Sequence, residues 1–120
     1  MWDVEYTDEF SVWWDALSAE EQWSVGRVEA MLESEGPNLP FPYSSRVRGA
    51  RHGAIRELRI QHAGRPLRVL YAFDPRRTGI LLLGGDKTGD GRWYKVNVPR
   101  ADRLYAEPLE ALRKEGYLDG

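Results

Sequence analysis

The chain has 120 residues, of which 42% are apolar and 30% charged, a balance expected of one water-soluble domain spanning 1–120. It has no cysteine and only two histidines, His52 and His62, which excludes disulfides and Cys-ligated metal and argues against a His-built zinc site, so no cofactor is expected. No apolar run approaches membrane-spanning length, and the start, Met1-Trp2-Asp3-Val4-Glu5, lacks the charged and greasy stretches of a signal peptide; a cytoplasmic protein without membrane association is expected.

Net charge is only −2, but the charges are segregated. Residues 1–45 hold ten acids against Arg27 alone, and residues 46–103 hold fourteen Lys/Arg against five acids. Two readings fit: a polyanion-binding surface built by the middle of the chain, or halves that neutralise each other on folding.

Trp2, Val4 and Tyr6 alternate with Asp3 and Glu5, which predicts a half-buried strand. Thr7 is placed to cap a helix with Asp8 and Glu9 in its first turn, and Phe10, Trp13, Trp14 and Leu17 form its apolar stripe. Ser18-Ala19-Glu20-Glu21 is a capping box opening a second helix, with Val25, Val28, Met31 and Leu32 inward and Gly36-Pro37 at its end. So short a junction predicts an antiparallel α-hairpin.

Asn38 to Gly53 reads as a long basic connection carrying Arg46, Arg48, Arg51 and His52. Three antiparallel strands follow. Ile55–His62 sets Leu58 and Ile60 on one face and Glu57, Arg59 and Gln61 on the other. Pro66–Asp74 sets Leu67, Val69, Tyr71 and Phe73 against Arg68, Leu70 and Ala72. Thr78–Leu83 is short, apolar and placed centrally. Gly84 to Arg92 reads as a polar glycine-rich loop without phosphate-loop spacing, and Trp93 to Val98 as extended. Pro99 is placed to open a final helix, kinked at Pro108 or restarting there as a short helix to Gly116.

The predicted architecture is α+β: an N-terminal strand and α-hairpin packed on a small antiparallel sheet, with a C-terminal helix. The hairpin covers one sheet face and the other stays open to water. Alternation puts Glu57, Arg59 and Arg68 on that open face, with Lys87 and Tyr94 just beyond the last strand. Cleavage of RNA by its own 2′-hydroxyl requires a base, cations around the phosphate and an acid for the leaving oxygen. Glu57 is the candidate base; Arg59, Arg68 and Lys87 are candidate stabilisers. From spacing alone an ordinary solvated Glu–Arg ladder is the favoured explanation.

Glu57-Leu58-Arg59, the run from Gly64-Arg65-Pro66 to Asp74-Pro75-Arg76-Arg77, Leu81 to Gly89, and Pro99 to Leu109, preceded by the aromatic first helix, resemble the RelE/HigB-type toxins, specifically the phage-derived HigB-like branch. The resemblance covers nearly the whole chain. It implies a RelE-like fold and a toxin of a toxin–antitoxin system, a metal-independent endoribonuclease acting on mRNA, usually at the ribosome. It implies a cognate antitoxin, usually with a helix-turn-helix domain, and operator DNA bound only through the complex. It places catalytic roles on Arg68, Lys87, Glu57 and Tyr94; RNA contacts are expected, from the local excess of positive charge, at Arg46, Arg48, Arg51, Arg56, Arg59, Arg92 and Lys95. Relatives of the ParE kind, which inhibit DNA gyrase without being enzymes, and inactive regulatory copies remain the alternatives.

Overall fold

The computed structural model describes residues 1–117. In chain order it contains β1 (Val4–Tyr6), α1 (Asp8–Asp15), α2 (Ala19–Glu35), a 3-10 turn (Gly36–Asn38), β2 (Ser44–Arg46), β3 (Arg56–His62), β4 (Arg65–Phe73), β5 (Gly79–Asp86) and α3 (Trp93–Lys114). The α+β class is as expected.

The helix starts follow the sequence signals. The Thr7 side chain accepts from the Phe10 amide at 3.1 Å. Ser18 and Glu21 close a reciprocal box, at 3.1 Å to the Glu21 amide and 2.7 Å from the Ser18 amide, which satisfies donors that a helix N-terminus leaves free. Phe10, Val25, Val28 and Leu32 pack on Leu58, Ile60, Leu67, Val69 and Tyr71, so the hairpin covers one face of the sheet.

Four features differ from expectation. The sheet is mixed, in the order β1-β5-β4-β3-β2, because β1 pairs parallel with β5; β4 is the middle strand and β5 is interior. The long connection contains a strand of its own, β2, antiparallel to β3. Gly84 to Asp86 belong to β5 rather than to a loop. Their lack of side chains lets indoles lie flat on the strand: a Cβ on Gly84 would collide with Trp13 on one face, and one on Gly85 would come within 2.6 Å of Trp93 on the other.

The fourth difference matters most. Trp93 to Val98 is helical, and α3 runs as one helix through Pro99 and Pro108 to Lys114, with no break or second helix at Pro108. Its buried positions, Trp93, Asn97, Val98, Ala101, Asp102 and Tyr105, recur at helical spacing. The polar members of that series hide the period in the sequence, and Asn97 settles its amide on the Trp93 carbonyl at 2.9 Å. Pro99 removes one helical hydrogen bond, at a point where it and Lys95, four residues earlier, are both exposed. The second sheet face is therefore not open: Leu70, Ala72, Ile80 and Leu82 pack under α3 with Ile55, Trp93, Val98, Ala101 and Tyr105.

Candidate functional site

At one end of the α3-covered face several charged side chains gather, assembled by strand register. Glu57 pairs with Leu70, and Arg59 lies directly opposite Arg68, which in turn lies opposite Gly85. Two facing arginines repel unless a carboxylate stands between them. Glu57, one step along the same face, fills that role. Its Oε1 lies 3.3 Å from Arg68 Nε and its Oε2 3.5 Å from Arg59 Nη1. From α3, the Tyr94 hydroxyl donates to Glu57 Oε1 at 2.5 Å. Burial first, then the bond to Glu57, pushes the Tyr94 phenol above its ordinary pKa, with Arg68 pulling the other way.

Lys87 completes the cluster. Its backbone amide donates to the Pro66 carbonyl at 3.1 Å, and its Nζ stands 5.3 Å from the centroid of the Tyr94 ring. Trp93, pressed on Gly85, meets Tyr94 edge-on at 5.2 Å and fixes where the tyrosine sits. Asp86 orders the loop beyond by accepting from the Thr88 amide at 2.9 Å, and Asp90 accepts from the Arg92 amide at 3.0 Å.

Glu57, Arg59, Arg68, Lys87 and Tyr94 are thus brought together from β3, β4, the β5–α3 loop and α3. Their exposure differs from the expected solvent-facing ladder. Glu57 and Arg68 are each only 4% exposed, whereas Arg59, Lys87 and Tyr94 are half-buried. The accessible members are therefore Arg59, Lys87 and Tyr94, above a buried Glu57–Arg68 pair. Arg68 Nη1 donates to the Leu67 carbonyl at 3.0 Å, while its Nε, fully enclosed, has no hydrogen bond despite the nearby carboxylate.

The other expected RNA contacts do not join this cluster. Arg56 lies on the opposite sheet face, as alternation from Glu57 requires, and its Nε donates to the Ser44 hydroxyl at 3.0 Å. Arg46 ends β2, and Arg48 and Arg51 are exposed in the segment that follows. That segment is pinned by Asp102 of α3, which accepts from the Arg51 amide at 2.8 Å and from the His52 amide and ring at 3.0 Å each. Burial opposes ionisation of Asp102, but these donors outweigh it and hold its carboxyl below the usual range. Arg92 and Lys95 are exposed at the start of α3. Asp102 is a positioning residue that the sequence reading passed over, because a lone acid in a helix carries no signal of what it caps.

The family described as Phage derived protein Gp49-like (DUF891) matches residues 12–106. A Mycobacterium tuberculosis protein named as toxin HigB3 is 45% identical over 92 residues, covering 76% of this chain and 79% of that protein. A second from the same organism, named as toxin HigB2, is 39% identical over 104 residues, covering 85% of this chain; the chain spans 52% of that relative's length. The crystal structure of the isolated E. coli RelE toxin superposes with a TM-score of 0.60 at 11% identity, over 93% of this chain and 99% of that one, a likeness of fold.

Proposed function

The chain belongs to the phage-derived Gp49-like family, with HigB toxins among its relatives, and on that footing we propose that it is the toxin of a toxin–antitoxin pair acting as a metal-independent endoribonuclease on mRNA. The observation that carries the reading is the convergence of Arg59, Arg68 and Lys87 with Tyr94 and Glu57 at one end of the α3-covered sheet face. Glu57 neutralises one of the three cations and leaves an excess of positive charge where a phosphate would sit.

Exposure divides the work. Lys87 and Arg59 are accessible and hold the phosphate oxygens, stabilising charge that builds as phosphorus becomes five-coordinate. Tyr94, already donating to Glu57, takes the 2′-hydroxyl proton as its own passes to Glu57 Oε1. The freed O2′ attacks phosphorus, and the departing 5′-oxygen takes a proton from Lys87. The products are a 2′,3′-cyclic phosphate and a 5′-hydroxyl end, and solvent takes the proton from Glu57 and restores that of Lys87. Arg68 remains below as a positioning residue, holding the Glu57 carboxylate in place.

The cognate antitoxin, with a helix-turn-helix domain, restrains this activity and carries the pair to operator DNA; the message is met on the ribosome, in the cytoplasm. Arg46, Arg48, Arg51, Arg92 and Lys95 supply longer-range attraction to the RNA.

Lys87→Ala and Tyr94→Phe are the test, because neither empties the buried pair. Each is expected to lower cleavage about 100- to 1000-fold, read by sequencing RNA 5′ ends after brief induction and by growth. Two fully toxic variants would overturn the assignment, and growth arrest with DNA-damage signalling but no new RNA ends would favour gyrase inhibition instead. RNA affinity is expected to fall with salt at a log–log slope of about −0.7 per phosphate contacted.

A further inference from the structure

Beside the charge network, a cleft of about 430 Å³ runs between α2 and the turn preceding β2. Its floor is apolar, with Val28 and Met31, and its walls are Arg27, Tyr43, Gln61 and Arg59. Arg59 belongs to both places: it bounds this cleft and stands 3.5 Å from Glu57. Arg68 reaches the cleft as well.

The surroundings are unusual for a protein surface. Tyr43, 40% exposed, lines the cleft, and Phe41 and Trp23, 69% and 66% exposed, each lie against one of its wall arginines. Each of two guanidiniums already lies over a ring, Arg59 at 5.1 Å from the Phe41 centroid and Arg27 at 5.0 Å from that of Trp23. Among the described residues Arg27 has no carboxylate partner. Flat aromatic and guanidinium planes over an apolar floor, with an exposed amide at the wall, are the chemistry that takes up an unpaired nucleobase: stacking on its faces and hydrogen bonds to its edge.

We propose that this cleft is a nucleobase subsite, holding one unstacked base of single-stranded RNA next to the phosphate gripped by Arg59. The proposal rests on the ribonuclease reading and adds to it a device for choosing register. A base seated between Tyr43, Arg27 and the Arg59 guanidinium that Phe41 backs fixes which neighbouring phosphate comes to rest under Lys87 and Tyr94. The turn is tied to the sheet by the Arg59 amide, which donates to the Tyr43 carbonyl at 2.9 Å, so base and phosphate sites move as one body.

The experiment measures fluorescence anisotropy with a short single-stranded RNA, 2′-O-methylated throughout so that it cannot be cut, and with versions lacking one base at a time. For the wild type, one position is expected to stand out, its missing base weakening binding roughly tenfold. Phe41→Ala is expected to weaken the intact RNA by a similar factor and to be indifferent to that same missing base, while Phe41→Trp keeps the wild-type profile. Phe41 is exposed, and circular dichroism checks that the variants fold. If every missing base costs the same in wild type and Phe41→Ala, the subsite is wrong while RNA binding stands. If the wild type binds no RNA and cuts none, the ribonuclease reading fails and the subsite goes with it.

Discussion

The two faces of the sheet solve opposite problems. Under α1 and α2 the packing is apolar and aromatic, and beside it Val4, Phe10, Trp14, Val25 and Leu81 line a groove of about 460 Å³ whose polar members include the acids Asp15 and Glu29. Under α3 the apolar packing stops short, and the last strand positions are given to Glu57, Arg59 and Arg68. The acidic first part of the chain does neutralise some of the basic middle: Arg65 pairs with Glu21, Arg76 with Glu5 and Arg100 with Glu9. None of those three arginines is in the cluster. Mutual neutralisation therefore accounts for these three arginines and not for the cluster. Some cations fasten the hairpin, and a separate set is withheld from it and gathered at the end of α3.

The sharpest way to break the comparison is to open the buried pair. Glu57→Ala leaves Arg68 charged, enclosed and without its carboxylate, and is expected to destabilise the fold by about 3–5 kcal/mol in urea titration. Replacing both Glu57 and Arg68 by leucine is expected to recover most of that stability while abolishing cleavage, since the network serves the site more than the fold. A single substitution as harmless as an exposed alanine would show that water reaches the pair. A smaller effect comes from the strand that both faces share. Gly85→Ala is expected to cost about 1–3 kcal/mol by pushing Trp93 off β5, and to lower cleavage because Tyr94 moves with it. Gly84→Ala, which meets Trp13 on the other face, is expected to reduce stability while leaving the Tyr94 geometry alone.

What the sequence made legible, and what it hid, follows from the same division. The α1–α2 side was readable because its signals are local: Thr7 and Ser18 cap, Gly36-Pro37 stops, and apolar residues recur at helical spacing. Alternation along β3 and β4 also placed Glu57, Arg59 and Arg68 on one face. The α3 side was misread because its determinants are not local. Asn97 and Asp102 are polar yet buried, Asp102 satisfied by the distant Arg51 and His52 amides and Asn97 by Trp93 and Arg100 within a helix the pattern hides, and Pro99 sits inside that helix where a proline ordinarily argues for a start. Gly84 and Gly85 suggested a loop, whereas their bareness is demanded by two indoles from distant elements. The burial of Glu57 and Arg68 followed from that missed helix: without α3 over the sheet, both were expected in water.

The gentlest test concerns the acidic groove. Burial, followed by the hydrogen bond with Glu33, pushes the Glu29 carboxyl up to about 8 from an ordinary 4.5. A carboxyl that holds its proton more tightly when folded stabilises the fold fully below its unfolded pKa. That contribution is lost as pH rises through the window from about 4.5 to 8, because unfolding then releases a proton that the folded state had retained. The wild type is therefore expected to lose stability across this window relative to Glu29→Gln, which keeps the hydrogen-bonding shape without the titration. Subtracting the two urea-titration curves isolates the Glu29–Glu33 pair, since the groups away from it titrate alike in both proteins. Glu29 is half-buried, so the difference is expected to be small, well below that of Glu57→Ala. Coincident curves would mean that the α1–α2 groove is as wet as open surface, and the contrast between its acid and the enclosed carboxylate beneath α3 would then be one of position alone.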